Sequence, residues 1–480
     1  VGGGGWRAPP RRHGLRRCGF AIGHAGGVDA DDLAAALAAA LAERGLRGSV
    51  VGLERLSGGA SRDTWSFDLE NGDVRRELIL QRARPGGIRT GVGMGGEAEL
   101  VRAAGDAGVP VPEVVAWSTG ADAIGEAWAV TERIGGETIP RRILRKLDAA
   151  EAAELTRQLG AAAAATHRID RSRVGHLPGE DQVAQFRGLL DLMGQPSPAF
   201  ELGLRWLEDH RPEEVEPVVV HGDLRLGNLI VDHEGLRAVI DWELAHVGDP
   251  VEDLAWPCVR AWRFGGPGAV GGFGDRDTFY AAYESAAGVP VDRDRAHWWE
   301  ALSTLKWGVM CILQAQTHLG GVNRSVELAA IGRRVCENEY DLLRLTHPHL
   351  DEHGPGSRDG PGPSAGTGLQ GRPTAAELVE AVREYLGGDV LEATEGRLRF
   401  HARVAANALA VVERELDQGP SAEARHRARL QQLGVADEAG LAAAIRAGSL
   451  DDRGDEVEAT VWWAVRSKLA IANPDHLVDA

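Results

Sequence analysis

Cysteine is scarce in this 480-residue chain, and the four present (Cys18, Cys258, Cys311, Cys336) are scattered with no C-x-x-C pair. That argues against a disulfide framework and a cysteine-held zinc site, and fits a reducing compartment such as the cytoplasm. No uncharged apolar stretch reaches the roughly 18 residues that a membrane-spanning helix needs, so none is expected. Positive charge is also short: 53 Lys and Arg face 71 Asp and Glu, a net charge of −18. Nucleic-acid binding relies on cations that neutralise phosphates, so that class is disfavoured, while a local basic pocket for one small anion is not. What is present is ordinary for a globular protein, with 43% hydrophobic and 26% charged residues, and the length allows two or three domains.

Residues 1–27 are basic and Gly-rich, lack an apolar segment of signal-peptide length, and read as a disordered leader. Ala-rich residues 28–46 read as a helix with Asp near its start, where the helix dipole favours negative charge. Short apolar runs follow in "SVVGLERL", "TWSFDLE" and "RRELILQR", with Asn71-Gly72 as a hairpin signal. A helix over 95–108 and strands in "VPVPEVVAW" and "AWAVTERI" complete a small antiparallel sheet with one inserted helix across 49–134. From about 148 to 350 the pattern is mainly helical. Residues 353–372 hold ten Gly or Pro in twenty, the composition of a flexible linker. It tethers an all-helical domain, 373–480, that opens with a Thr374 cap. "GVGMGG" at 91–96 mimics a dinucleotide fingerprint without the βαβ context, and a mobile loop is the expectation. His167 has no partner at metal-ligand spacing and is expected on a helix surface or in the core.

One stretch interrupts the helical half. In "VVVHGDLRLGNLIVDHEGLRAVIDWE" (218–243), two short β-prone runs joined through "DHEG" form a hairpin. With Glu234-Gly235 as its turn, Asn228 faces Asp241; a bulge would shift that pairing by one residue and keep both at the same end. An Asn oxygen and an Asp carboxylate are hard ligands suited to Mg²⁺, an ion usually shared with substrate phosphates. Asp223, on the loop leading in, is placed to take a proton from an attacking hydroxyl. A base and two metal ligands in this order are the parts phosphoryl transfer needs.

The spacing matches the kinase catalytic loop H-x-D-x-x-x-x-N and its D-F-G segment, here His221-Gly222-Asp223…Asn228 and Asp241-Trp242-Glu243. Together with "IDWELAHVGDPVEDLAW" and "AWRFG", these residues make the chain resemble the aminoglycoside phosphotransferase-like branch of the kinase-like fold over about 50–350. It is most similar to the subgroup related to the kinase module fused to certain acyl-CoA dehydrogenases. The resemblance implies an α+β, two-lobed architecture: an antiparallel-sheet N-lobe (28–134), a mainly helical C-lobe (135–352), and a C-terminal all-α domain of unknown function. It implies ATP and Mg²⁺ as cofactors, and a structural role for His221. Asp249 and Asp253 are expected to brace the catalytic loop through backbone hydrogen bonds, and Glu243 to be a second metal contact or a structural acceptor.

The same resemblance places a phosphate loop at "RLSGGASRDTW", where Ser57, Gly58, Gly59 and Ser61 would bring backbone N–H groups to the phosphates. A helix Glu, Glu97 in preference to Glu99, would pair with a basic residue on the third strand. That strand departs from the family pattern: Gln81 stands where Lys or Arg belongs, and Arg82 follows. Successive strand residues face opposite sides, so only one can reach the phosphates. Arg82 is the expectation; Gln81 in that position would point to a crippled kinase. Backbone groups from Glu132 to Ile134 would bind adenine. The acceptor is expected among C-lobe helices carrying Trp242, Trp256, Trp262, Trp298, Trp299 and Trp307, with Arg260 and Arg263 to meet an anion. These features suit a small-molecule kinase, with a hydroxyacyl-type metabolite as one acceptor. A nucleotide-sensing pseudokinase and an aminoglycoside or macrolide kinase are the alternatives.

Overall fold

A computed structural model of the chain describes residues 30–56, 62–83, 92–120, 122, 124–179, 181–323, 325–352 and 374–477. The leader, the 353–372 segment and the expected phosphate-loop residues Ser57, Gly58, Gly59 and Ser61 lie outside the described residues. After helix α1 (Ala30–Glu43) come strands β1 (Ser49–Arg55), β2 (Arg62–Asn71) and β3 (Val74–Ala83). Helix α2 (Gly93–Asp106) and strands β4 (Val114–Ser118) and β5 (Trp128–Glu132) complete the unit. The five strands form one antiparallel sheet in the order β1-β2-β3-β5-β4. One face of it packs on α1, where Leu33, Leu37 and Leu41 meet Phe67, Leu78, Leu80 and Val130.

Two local readings shift. The β2–β3 turn centres on Gly72-Asp73, with Asn71 already paired to Val74. Gly72 carries the positive φ, +60°, that a Gly-first hairpin turn demands. The segment expected as a loop at 91–96 instead supplies the first turn of α2 from Gly93. Its glycines are there for close packing: a Cβ on Gly95 would lie 2.9 Å from Thr119 Cγ2, and one on Gly96 2.8 Å from His176 Nε2.

The chain leaves the sheet through residues 133–137 and is pinned at once to the catalytic hairpin. Glu137 N–H donates to Val231 O at 2.8 Å and Glu137 O accepts from Val231 N–H at 3.0 Å. The helical lobe then comprises α3 (Pro140–Lys146), α4 (Ala149–Thr166), α5 (Gln182–Met193) and α6 (Pro198–Asp209). Strands β6 (Val218–Val220), β7 (Leu229–Asp232), β8 (Gly235–Val239) and β9 (His246–Gly248) follow, paired β6 with β9 and β7 with β8. Helices α7 (Val251–Ala255), α8 (Arg276–Ala287), α9 (Arg293–Leu319), α10 (Val326–Ile331) and α11 (Val335–Thr346) close the lobe. Leu159, Val219, Leu229, Val239, Leu254, Leu302 and Leu305 belong to its core, so β6–β8 rest on buried helix faces.

The last part holds α12 (Ala375–Tyr385), the single turn α13 (Leu391–Ala393), α14 (Gly396–Leu433), α15 (Glu438–Ala447) and α16 (Gly454–Ala472). It was expected as a tethered domain, yet its second half shares a core with the kinase-like lobe. Leu202 of α6 and Tyr340 and Leu343 of α11 are buried with Leu441, Ile445, Val461 and Val465. Tyr340 stacks on Trp462 at 4.9 Å, and Arg446 bridges to Asp191 at 2.8 Å and to Glu201. Among the described residues no helix is long and apolar enough to cross a membrane.

Candidate active site

The loop between β6 and β7 is built around three residues that must be what they are. Gly222 has φ +75°, and a Cβ there would lie 2.4 Å from Leu244 O. His221 is completely buried; its Nδ1 accepts from Asp223 N–H at 3.2 Å and its Nε2–H donates to Ile240 O at 3.2 Å. That pattern requires the neutral ring, and burial lowers the His221 pKa accordingly. His221 therefore clamps the loop carrying Asp223 to the segment carrying Asp241. Asp253, at the start of the short α7, accepts from the N–H groups of His221 (2.7 Å) and Gly222 (2.9 Å). His167, at the end of α4, completes this cluster at 3.3 Å from Asp253 and 2.9 Å from Tyr283. Its site is thus a buried polar tie.

Asp249 does not brace the catalytic loop as expected. Its carboxylate accepts from Val251 N–H at 2.9 Å and pairs closely with Arg295 of α9, so it anchors the entry to α7. A second brace comes from residues that motif reading passed over. Glu252 pairs with His246 (2.9 Å) and Lys306 (3.1 Å), and Lys306 Nζ donates to Gly222 O at 3.0 Å. His246 and Lys306 hold the buried Glu252 carboxylate down at about 2, overcoming the desolvation that would raise it. Only the sequence distance between 252 and 306 hid this network.

Asp223 is held by three donors. Trp256 Nε1–H (2.7 Å) and Arg225 Nε–H (2.9 Å) donate to Oδ1, and Asn228 Nδ2–H donates to Oδ2 at 2.6 Å. A carboxylate offers about four acceptor positions, so one on Oδ2 remains. Asn228 spends its second amide proton on Asp223 O at 2.9 Å, which turns its amide oxygen the other way. The hairpin register is one residue off the sequence expectation: Asp232 pairs with Gly235, and a bulge follows between Ile230 and Val231. Ile240 N–H consequently donates to Asn228 O at 2.9 Å, and Asp241 stands one residue beyond, at the same end.

Asp241 is one of two non-glycine residues with a positive φ among the described residues, at +66°, a conformation Asp tolerates better than most residues. Burial, then Glu243, Asp223 and Glu97, push its pKa up to about 7, with Arg62 opposing. The site therefore carries more negative charge than its own cations balance. No three His, Cys, Asp or Glu side chains among the described residues form a cage for a metal ion. One Asn oxygen and one carboxylate are the smaller donor set that suits an ion shared with phosphate.

The sheet wall of the cleft corrects the expected pairing. In β3, Arg82 shares a face with Leu78 and Leu80, which pack on α1, and its Nη2 lies 3.4 Å from Ile124 O. It is buried on the far side of the sheet and does not meet Glu97. Gln81 is on the cleft face, opposite Thr64. Glu97 is in place on α2, but its close partner is Arg62 of β2, which also lies 3.5 Å from Glu243. In the connector, Glu132 N–H donates to Glu113 O and Arg133 N–H to Glu77 O, each at 2.9 Å. Two of the amides expected to face adenine are thus taken by the sheet, which leaves Ile134 as the donor to test.

The six tryptophans split into two groups. Trp242, Trp298 and Trp299 fill the main core, with Trp242 4.6 Å from the His221 ring. Trp256, Trp262 and Trp307 form a smaller cluster behind Asp223, and Arg225 lies over Trp262 at 4.7 Å. Arg260 is committed to Asp341 (3.1 Å) and His476 O (3.1 Å), tying down the C-terminal helices. A cavity of about 320 Å³ lies elsewhere, between α6 and α15–α16, lined by Trp206, His210, His347 and Val457 among others.

A two-lobed fold with an Asp and an Asn ordered on one loop, and a further Asp at the hairpin end, defines a phosphotransferase of the kinase-like class. Residues 52–299 match the phosphotransferase enzyme family (APH), more than half of the chain, and the chain belongs to that family. Residues 392–476 match a domain of unknown function (DUF6285). Among characterised proteins it is similar to acyl-CoA dehydrogenase family member 10 of Mus musculus, 28% identical over 217 residues, 42% of this chain and 20% of that protein. Family member 11 of Gallus gallus is 29% identical over 171 residues, 33% of this chain and 22% of that protein. The chain thus spans about a fifth of the length of these relatives. A Ralstonia eutropha crystal structure of aminoglycoside phosphotransferase type superposes with a TM-score of 0.55 at 21% identity, covering 65% of this chain and 98% of that one. That likeness establishes the kinase-like fold.

Proposed function

We propose that the chain transfers the γ-phosphate of ATP, with Mg²⁺, to a hydroxyl of a small molecule. The observation that carries this reading is the carboxylate of Asp223, oriented by three donors with one acceptor position left. Asp223 holds and receives the proton of the acceptor hydroxyl as its oxygen attacks phosphorus. Asn228 and Asp241 would hold Mg²⁺, whose chemistry there is neutralisation of charge on the transferring phosphoryl group. The phosphate loop at 57–61 and the backbone at Ile134 position the nucleotide, and the three buried thiols suit the reducing cytoplasm.

For the acceptor we propose a hydroxylated acyl-type metabolite. Arg225 beside the base would meet an anionic or thioester-bearing acceptor. The acyl-CoA dehydrogenase names of the relatives support the same class. Gln81 on the cleft face favours one other reading, a nucleotide sensor of weak activity. An ATP-consumption assay over a panel of hydroxyacyl thioesters, with an aminoglycoside arm, decides between them. Turnover that disappears in Asp223→Ala supports the kinase; binding of ATP with no turnover of any acceptor supports the sensor.

A further inference from the structure

We propose that Arg62 of β2 is the cation that grips the nucleotide phosphates, in place of the basic residue missing at Gln81 of β3. The proposal rests on the phosphotransfer reading above and assigns a residue that the motif pattern does not contain. It begins with register. Thr64 pairs with Gln81 and Arg62 with Ala83, so Arg62 lies on the same face of the sheet as Gln81, on the diagonal across the β2–β3 ladder. Diagonal neighbours in an antiparallel pair are about 7–8 Å apart at Cα, well within the reach of an arginine side chain. Arg82 has no such access, because alternation turns it to the α1 side with Leu78 and Leu80.

Geometry then shows what Arg62 joins. Its guanidinium pairs closely with Glu97 of α2 and lies 3.5 Å from Glu243, two residues past Asp241. The Arg62 and Glu97 side chains are only 12% and 9% exposed. One cation therefore links the β2 end of the phosphate loop, the α2 carboxylate and the segment of the metal-binding Asp. A carboxylate partner fixes the plane of the guanidinium, whose planar fork of donors suits phosphate oxygens as it does a carboxylate. The neighbourhood is otherwise acidic, with Glu243, Asp223 and Glu97 all close enough to act on Asp241. ATP entering that cleft would be repelled without a resident cation, and Arg62 is one the sheet supplies.

The test compares binding of ATP with Mg²⁺ and of adenosine to the full-length protein by calorimetry. A charge-assisted hydrogen bond is worth about 1.5–3 kcal/mol, so Arg62→Gln should weaken ATP by about 10- to 100-fold. Adenosine, which has no phosphates, should change less than about twofold. Gln81→Lys added to Arg62→Gln should restore much of the ATP affinity, and Arg82→Gln should leave the ATP-to-adenosine ratio unchanged. An unchanged ratio in Arg62→Gln, or its collapse in Arg82→Gln, overturns the assignment while leaving the kinase reading intact. Wild-type protein that binds neither ligand overturns both. If Arg62→Gln loses its thermal transition, Arg62→Lys keeps charge without the planar fork. A loss there confined to ATP supports the proposal, and no loss opposes it.

Discussion

The loop wall of the cleft takes its carboxylates from one stretch of chain, 221–253, whereas the sheet wall assembles its ion pair from Arg62 on β2 and Glu97 on α2. In the first wall, covalent spacing fixes most of the geometry. Asp223 and Asn228 are five residues apart on a loop that two backbone donors lock to Asp253. In the second, placement depends on which face of a strand a side chain takes, and a neighbouring strand can supply the same charge. A chain can thus relocate a cation on the sheet wall with little change of shape. No such freedom exists for the loop wall, where Asp223, Asn228 and the hairpin end share one backbone.

The largest expected effect breaks the loop wall at its base. Asp223→Ala should lower phosphotransfer by about 10²- to 10⁴-fold, the usual worth of a general base, in a steady-state ATP assay. Gly222→Ala attacks the same wall through sterics. A Cβ 2.4 Å from Leu244 O at φ +75° should cost about 1–3 kcal/mol, read as a lower urea midpoint. Trp256→Phe keeps the ring and removes the N–H that holds Asp223. It should reduce kcat about tenfold with the KM for ATP nearly unchanged, since one hydrogen bond to a charged group is worth about 1.5–3 kcal/mol. An equal rise in KM would show instead that the nucleotide side depends on the loop wall.

The smallest effect concerns pH. Glu252, held at about 2, contributes stability that is fully present above its unfolded pKa and is lost as pH falls below it through about 2. His246, whose pKa Glu252 raises, contributes stability present below its unfolded pKa and lost as pH rises through the raised one. Stability from this pair should therefore be greatest in mildly acidic solution. Denaturation from pH 3 to 8 should show a flatter profile in Glu252→Gln than in wild type, with the activity at neutral pH reduced only modestly.

Most of the loop wall was legible in the residues because a turn, a hairpin and an order of donors are local matters. The bulge after Ile230 moved the register by one residue without separating Asn228 from Asp241. The sheet wall was legible as a fold and misread as a site. Arg82 follows an apolar run, but so do the residues of the face that packs on α1, and only the neighbouring helix decides which face that is. One helix start was misread for a similar reason: Gly93–Gly96, expected as a loop, start α2, because tertiary packing overrides local propensity there. The Glu252–Lys306 tie joins elements 54 residues apart and leaves no local pattern.

The shared core of Tyr340, Leu343, Trp462 and Val465 bears on how the protein can be handled. An engineered protease site within 353–372 would cut the chain in two without freeing either piece. The fragments should co-elute as one particle on gel filtration, and activity should survive the cut. A recombinant product ending at residue 352 would instead present Leu202, Tyr340 and Leu343 to solvent and precipitate at concentrations the intact chain tolerates.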